Sequence, residues 1–163
     1  MTRAKTKTVI EPLALSDLGC ACATARRLAR TLTQLYDRRL RRADIEAPQF
    51  AMLATLQHGP SSQVSLGRRH ALDKATVSRN VQGLARKGWV EIVASGDRRE
   101  RQVVLTPAGR DCLARARVEW QHVQTELRLA MTGAQWRAMF EGFRAVTAAA
   151  LELSRSPDRR SQP

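Results

Sequence analysis

The fold is decided by the stretch HALDKATVSRNVQGLARKGWVEI, residues 70–92. Val77, Val81 and Leu84 recur in it at helical spacing, which predicts a helix with one buried apolar face. The opposite side, called the polar face from here on, carries hydrogen-bonding side chains at Ser78, Arg79, Gln82 and Arg86. Hydroxyl, guanidinium and amide groups on the free side of an anchored helix indicate that the polar face meets a partner.

The residues around this helix predict two further elements. Residues Trp89–Ala94 and Arg101–Leu105 are rich in Val and Ile, and the intervening residues 95–100, SGDRRE, complete a β-hairpin with a charged tip. A short helix is predicted before the polar-faced one, over about Gln63–His70, and Asp73 is the predicted N-cap of the second helix. Two helices followed by a hairpin form the winged helix–turn–helix plan, in which the second helix enters the DNA major groove.

Both ends of the chain carry long helices with an apolar seam that repeats about every 3.5 residues. The first is predicted from about Ser16 to Arg42, the fifth begins after the N-cap Thr106, and the sixth begins after the N-cap Thr132. Such seams pack helix against helix, either in a bundle within one chain or against a second copy. We expect a two-fold dimer, because the middle of the chain looks complete without these helices.

The predicted fold is therefore mainly α with a small β-hairpin wing: a winged helix–turn–helix with a helical dimerisation layer from both termini. Residues 1–14 are predicted to be a flexible arm and residues 154–163 a disordered tail. Residues 15–153 are predicted to form one domain. Within it, residues 15–45 and 107–153 supply the dimerisation helices and residues 46–106 the winged helix–turn–helix.

Charge favours a polyanionic partner. The 163 residues include 28 Lys and Arg against 15 Asp and Glu, a formal net charge of +13 that is not confined to one tail. Such a surface favours nucleic acid first and an anionic membrane second, although a basic protein without such a partner is the alternative. No secretory signal and no apolar run long enough to cross a bilayer is visible, so we expect a cytoplasmic protein without a membrane partner.

The predicted DNA contacts fall into two sets. On and beside the polar face, Ser78, Arg79 and Gln82 suit base edges, whereas Thr76 at the helix N-terminus suits a phosphate. Further phosphate contacts are predicted at Lys74, Arg86, Arg68 and Arg69. At the wing, a minor-groove strip is predicted from Arg98, Arg99 and Arg101, and Asp97 is expected to pair with an arginine and hold the wing in shape. A polar face that is merely solvated is the alternative.

The chain resembles the MarR family of transcriptional regulators. The matching text is QFAMLATLQ, then LDKATVSRNVQGLARKGWVEIVASGDRRERQVVLTPAGRDCL, in which Asp97-Arg98-Arg99 matches the family's D-x-R wing signature. The resemblance implies a homodimer on an inverted-repeat operator, usually a repressor released by a small-molecule ligand or by thiol oxidation. Two departures are Gly67, where the family usually has alanine and which weakens a helix by roughly 1 kcal/mol, and DIEAPQF, which lacks the usual glycine turn.

The three cysteines are candidates for effector sensing. Cys20 and Cys22 point about 200° apart on a continuous helix and cannot share a metal unless the helix frays at Gly19. Cys22 precedes Tyr36 by fourteen residues, a spacing similar to that of the organic-hydroperoxide-sensing branch of the family. That resemblance implies that Cys22 is the sensing thiol and Tyr36 its neighbour.

Three interpretations of the thiols remain open: inert packing cysteines, a redox switch, or a site for a soft ion such as trivalent arsenic. Arg26 lies one turn after Cys22, where it could lower the thiol pKa. The peroxide-sensing branch has a second tyrosine at this position. Cys112, in the fifth helix, could approach the first helix of either subunit. The three histidines show no metal-ligand spacing, so no metal and no cofactor is predicted.

No enzymatic motif is present: there is no phosphate-binding glycine loop, no H-E-x-x-H and no nucleophile elbow. The expected partners are double-stranded DNA, a second copy of the chain and a small-molecule effector. Two rival functions are a sequence-indifferent architectural protein that coats DNA through charge, and a regulator without an effector that is controlled by its own abundance.

Overall fold

The computed structural model describes residues 19–94 and 101–155. These residues form six α-helices and three short β-strands, which confirms the predicted fold class. The helices are α1 (Ala21–Leu40), α2 (Ala47–Leu56), α3 (Gln63–His70), α4 (Lys74–Arg86), α5 (Pro107–Leu129) and α6 (Gly133–Arg155); the strands are β1 (Ser61–Ser62), β2 (Val90–Ala94) and β3 (Arg101–Leu105).

The bounds of α1 differ from the prediction. The helix begins at Ala21 rather than near Ser16, because Cys20 is an N-cap in extended conformation (φ −124°, ψ 110°) and Gly19 has φ +55°. At its other end the chain continues as a 3-10 turn and then reverses at Asp44, whose φ is 58°. Asp44 thus adopts the left-handed conformation that a glycine turn would otherwise supply.

The predicted helix caps are confirmed. Asp73 accepts the backbone N–H of Thr76 at 2.9 Å, Thr106 accepts that of Gly109 at 3.0 Å, and Thr132 accepts that of Gln135 at 3.2 Å. A side chain that satisfies an orphan N–H of the first turn fixes where each helix starts.

The far end of α6 extends into the predicted tail. Ser154 and Arg155 still belong to the helix, and the Ser154 hydroxyl donates to the Leu151 carbonyl at 2.9 Å. The predicted arm at residues 1–14 and residues 156–163 of the predicted tail lie outside the described residues.

The wing belongs to a three-stranded antiparallel sheet in the order β1-β3-β2. The hairpin strands pair as predicted, with Ile92 opposite Val103 and Ala94 opposite Arg101. The third strand was not predicted: Ser61 and Ser62 pair with Val103 and Gln102. This extra strand anchors the base of the wing to the start of α3.

The core lies where α2 and α5 meet the helix–turn–helix. Leu53 of α2, Leu66 of α3 and Leu84 of α4 are completely buried in one apolar cluster. Phe50 of α2 stacks on Trp120 of α5 with ring centroids 6.0 Å apart. Arg39 pairs with Glu126, and this ion pair joins α1 to α5 at the edge of the cluster.

The terminal helices leave apolar surface exposed in the single chain. No residue of α6 is buried, and in α1 only Leu40 is. Val146 is 58 % and Leu153 75 % exposed on α6. The two helices border an apolar groove of about 710 Å³, the α1–α6 groove, lined by Leu28, Leu32, Phe143 and Val146 among others. Within residues 19–94 and 101–155, no helical bundle therefore covers these seams.

Candidate nucleic-acid interface

The recognition helix of the winged plan is α4, and its two faces differ as predicted. Val77, Val81 and Leu84 are buried in the core. On the polar face, Arg79 and Gln82 are exposed, as is Arg86 one turn later. Burying three aliphatic side chains stabilises the position of α4 by several kcal/mol, at roughly 1.5–3 kcal/mol for each. The packing of these three side chains therefore holds the polar face outward, and the polar-face residues themselves take no part in that packing.

Hydrogen bonds order the polar face along the helix. The Arg79 guanidinium donates from Nη2 to the Thr76 hydroxyl oxygen at 3.2 Å, and the Gln82 amide donates to the Ser78 hydroxyl at 3.4 Å. Both contacts join residues three or four positions apart, which lie next to each other on a helix surface. The face therefore presents pre-arranged pairs of side chains.

The N-terminus of α4 is occupied by its own cap. The Thr76 hydroxyl donates to Asp73 Oδ2 at 2.7 Å, and its backbone N–H donates to Oδ1. The hydrogen bond from the Thr76 side chain, followed by those from backbone N–H groups, holds the pKa of Asp73 below its ordinary value. Because its only hydroxyl proton is directed at Asp73, Thr76 has no proton left to donate to a phosphate in this conformation.

Cationic side chains flank α4 on the α3 side. Arg68 and Arg69 are exposed in the last turn of α3, and Lys74 is exposed at the first position of α4. Arg68 and Lys74 border a cavity of about 310 Å³ between the two helices, whose floor includes Val77. These three cations lie around one helix–turn–helix, as a phosphate-contacting rim would require.

Gly67 has a packing role that its helix propensity did not suggest. A Cβ there would lie 3.0 Å from the Leu72 carbonyl oxygen, and Leu72 donates its N–H to the Gly67 carbonyl at 2.9 Å. The departure from alanine thus allows the turn between α3 and α4 to approach α3 closely.

The described part of the wing ends before its tip. Arg101 is exposed at the start of β3, opposite Ala94. The predicted tip residues Asp97, Arg98 and Arg99 lie outside the described residues. Their minor-groove and wing-shaping roles stay predictions.

The cysteines do not form one cluster within the chain. Cys20 and Cys22 are exposed at the start of α1, whereas Cys112 is buried and donates from its Sγ to the Ala43 carbonyl at 3.7 Å. Ala43 follows the far end of α1, about 27 Å along the axis from Cys22 at 1.5 Å per residue. The interpretation in which all three thiols of one chain form a single site is therefore wrong. Burial raises the pKa of Cys112, which disfavours its thiolate.

Tyr36 is not a neighbour of Cys22 within the chain. Both lie on the continuous helix α1, so fourteen residues separate them by about 21 Å along the axis. Burial of the Tyr36 side chain raises the pKa of its hydroxyl. Arg26 does lie one turn after Cys22, on the same exposed stretch of α1. Contact of Cys22 with a tyrosine would need a second subunit.

Sequence reasoning missed two residues that join the helix–turn–helix to neighbouring elements. Lys87, its C-cap, donates from Nζ to the Asp44 carbonyl at 3.0 Å and lies 4.3 Å from the centroid of the Trp89 ring. His70, at the end of α3, lies 3.0 Å from the Thr55 hydroxyl through Nε2. The position of Lys87 just after the last turn of α4 indicates a helix cap, but nothing in the sequence indicates its partner Asp44 on another element.

Other kinds of site find no support in the described ranges. Between residues 19 and 94 and between 101 and 155, no three His, Cys, Asp or Glu side chains gather as metal ligands would. None of the helices described carries the uninterrupted apolar length that a bilayer crossing requires.

The chain is similar to known DNA-binding regulators. The family model described as MarR family matches residues 43–100. The crystal structure of the M. tuberculosis transcriptional regulator MosR in complex with DNA is 34 % identical, with a TM-score of 0.69, and covers 80 % of this chain and 98 % of that one. No curated protein sequence matches the chain significantly.

Two more distant structures share the fold. A mutant of E. coli MarR complexed with operator DNA is 23 % identical, with a TM-score of 0.72, and covers 80 % of this chain and 93 % of that one. PcaV from Streptomyces coelicolor, in complex with its natural ligand, is 24 % identical, with a TM-score of 0.71, and covers 92 % of this chain and 99 % of that one.

Proposed function

Because the chain belongs to the MarR family of DNA-binding transcriptional regulators, we propose that it is a homodimeric repressor that binds an inverted-repeat operator. Members of this family are regulators and not enzymes. The observation that carries the proposal is the contrast between two surfaces. Arg79, Gln82 and Arg86 of the polar face are exposed above a buried apolar core, while the described residues leave much of the apolar seams of α1 and α6 uncovered.

The second copy is the occupant that suits the exposed seams. The α1–α6 groove is mostly apolar. Exposed Phe140 contacts its lining residue Phe143, and exposed Leu151 lines an adjoining cavity that shares Phe143. An exposed apolar surface of this extent favours a protein partner. Two-fold association of identical seams also places two α4 helices symmetrically, as a palindromic half-site spacing of about one helical turn demands.

In the proposed complex, α4 enters the major groove and the wing the adjacent minor groove. Ser78, Arg79 and Gln82 meet base edges, with Arg79 suited to guanine and Gln82 to adenine. Phosphates are held by the three cations beside α4, Arg68, Arg69 and Lys74, and by Arg86 at the end of α4. The wing inserts arginines into the minor groove from Arg98, Arg99 and Arg101.

Release from DNA is proposed to follow ligand binding or oxidation at Cys22. PcaV is a regulator of the same fold that was solved with its natural ligand. In this chain the start of α1 carries two exposed thiols, at Cys20 and Cys22, inside the proposed dimerisation layer. A peroxide that oxidises the Cys22 thiolate to a sulfenic acid is itself reduced to an alcohol or water. The new polar group would change packing at the dimer seam and so the spacing of the two α4 helices.

The experiment that tests the proposal is a protection footprint on genomic fragments selected by the purified protein. We expect two protected half-sites about one helical turn apart. Uniform coverage, with equal affinity for scrambled duplexes, would instead support the sequence-indifferent architectural protein. Size-exclusion chromatography with light scattering measures the mass of the free protein, and a monomer at working concentration would contradict the dimer.

Two substitutions separate base recognition by α4 in the major groove from the electrostatic contribution of the wing. Arg79→Ala should weaken operator binding and reduce discrimination at one base position of each half-site, by about 5- to 150-fold for the loss of a bidentate pair. Arg99→Ala should weaken binding to all sequences alike and lower the salt slope by about 1 for each phosphate that is no longer neutralised. Arg155→Ala is the matched control, because it removes one positive charge at the end of α6, outside the proposed DNA interface.

The trigger is tested on the operator complex itself. Titration with a hydroperoxide, and separately with small aromatic acids, should dissociate the complex if either signal is the effector. Cys22→Ser should abolish the response to peroxide and keep any response to an acid. A complex that responds to none of these reagents supports a regulator controlled by its own abundance.

A further inference from the structure

Three side chains at the start of α4, those of Arg79, Thr76 and Asp73, form a chain of hydrogen bonds that all donate in the same direction; we call it the relay. Asp73 accepts from the Thr76 hydroxyl at 2.7 Å, and that hydroxyl oxygen accepts from Arg79 Nη2 at 3.2 Å. An ionised carboxylate can only accept hydrogen bonds and a guanidinium can only donate them. The hydroxyl between them therefore has a single arrangement, with its proton toward Asp73 and a lone pair toward Arg79.

We propose that Thr76 is a positioning residue that sets the orientation of Arg79 for base recognition, and that Asp73 does so indirectly by fixing the Thr76 proton. This inference rests on the proposed function, since it assigns a role within operator recognition. Thr76 is half-buried, and Arg79 beyond it is exposed. Of the five N–H donors of Arg79, the relay engages one and leaves the others for a base.

The relay acts by limiting the freedom of a long side chain before DNA arrives. An arginine loses rotamer freedom when it binds, and a side chain already held in its bound orientation loses less. A bidentate contact with guanine also requires the guanidinium plane to align with the base edge. Loss of the Thr76 hydroxyl should therefore reduce discrimination at the base that Arg79 contacts more than it reduces affinity for random DNA.

The neighbouring pair on the same face is the natural comparison. Gln82 donates to the Ser78 hydroxyl at 3.4 Å, a longer contact between two neutral groups. Ser78→Ala removes a hydroxyl from the polar face without touching the relay. Its effect on the base read by Arg79 should be small.

Three variants separate positioning from capping. Thr76→Val keeps the branched shape and removes the hydroxyl, whereas Thr76→Ser keeps the hydroxyl and should restore function. Asp73→Asn keeps an N-cap acceptor for the helix but replaces one carboxylate oxygen with an NH₂ group. That group donates to Thr76 and competes with Arg79 for the hydroxyl oxygen.

The measurement is the Kd of each variant for the selected operator and for operators with every single-base change in a half-site. Arg79→Ala identifies the base position that Arg79 reads. Thr76→Val and Asp73→Asn should reduce discrimination at that same position about 3- to 10-fold, part of the loss expected for a whole bidentate pair. Thr76→Ser should stay within about twofold of the unmodified protein, and circular dichroism should show an unchanged helical spectrum.

A double-mutant cycle provides the decisive outcome. In an Arg79→Ala background, Thr76→Val should have no further effect on discrimination, because there is no guanidinium left to orient. Full additivity, or an equal loss of affinity for operator and scrambled DNA, would overturn the inference and leave the Thr76 hydroxyl only as a partner of the Asp73 cap. If Thr76→Val fails to fold, the same cycle with Asp73→Asn decides.

Separate results would refute the proposed function and the positioning role of Thr76. If the unmodified protein does not prefer its operator to scrambled DNA, the proposed function is wrong and the inference falls with it. If the unmodified protein is selective and Thr76→Val is equally selective, only the positioning role is wrong.

Discussion

Replacing Gly109 with alanine should destabilise the protein strongly, although alanine is the better helix former. Gly109 lies in the first turn of α5, where it is buried beneath the start of the wing. An added Cβ would overlap the Trp89 carbonyl oxygen and lie 2.8 Å from Leu105 Cδ1 and 2.9 Å from the Trp89 carbonyl carbon. The Leu105 side chain can rotate away, but the Trp89 backbone cannot move freely.

The Trp89 backbone is held on both sides by hydrogen bonds. Its N–H donates to the Leu84 carbonyl at 3.0 Å, and its carbonyl accepts the Thr106 N–H at 3.1 Å. Overpacking against a fixed backbone belongs at the upper end of the usual range, about 3 kcal/mol. Exchange of glycine for alanine in a helix returns at most about 1 kcal/mol. We therefore expect a net loss of about 2 kcal/mol in the free energy of unfolding.

The assay is urea unfolding followed by circular dichroism at one fixed protein concentration, because the stability of a dimer depends on concentration. Gly83→Ala is the matched control, since the nearest atom to its new Cβ is the Arg86 Nη2 at 3.9 Å. That variant should gain up to about 1 kcal/mol. If Gly109→Ala is as stable as the unmodified protein while Gly83→Ala behaves as expected, the close approach of α5 to the wing is refuted.

Three further predictions concern single residues. Ala71 has φ 52° in the turn before α4, so Ala71→Gly should raise the unfolding free energy by up to about 1 kcal/mol; an unchanged or lower denaturation midpoint would contradict a left-handed Ala71. Burial and the Arg69 charge lower the pKa of His70 below 6.5; the unfolded chain therefore binds more protons, and the stability from neutral His70 is present above pH 6.5 and lost as the pH falls through its folded pKa. His70→Gln should flatten that part of the stability–pH curve, and an unaltered curve would exclude His70 as its source. Cys112 should be alkylated by iodoacetamide only as fast as the protein unfolds, as peptide mass spectrometry can show, and rapid modification in native buffer would contradict its burial.

Features that depend on neighbours in sequence were predictable. The caps Asp73, Thr106 and Thr132 are confirmed because a short oxygen-bearing side chain reaches only the N–H groups two or three residues ahead. The buried and polar faces of α4 follow from the period of the helix. The wing and recognition-helix motifs also led to the correct family, since they combine several such local constraints.

Features that depend on distant backbone were not predictable. Ser61 and Ser62 have no strand pattern of their own, and they pair only because β3 offers a free edge. Lys87 looked like one more surface charge, since its acceptor at Asp44 lies 43 residues away. The start of α1 was misplaced because the apolar period runs back from Cys22 to Leu18, whereas the extended Cys20 and the positive φ of Gly19 make the helix begin at Ala21.

The two faces of α4 also explain where recognition and stability can be changed independently. Val77, Val81 and Leu84 anchor the helix without reaching the polar face, so exposed Arg79 or Gln82 can be exchanged with little loss of packing. Thr76 differs, because its backbone and hydroxyl both bond the cap residue while its oxygen also accepts from Arg79. Removal of the Thr76 hydroxyl therefore alters both a hydrogen bond to the cap residue and the orientation of Arg79, so a change of base preference made at Thr76 also carries a cost in folding.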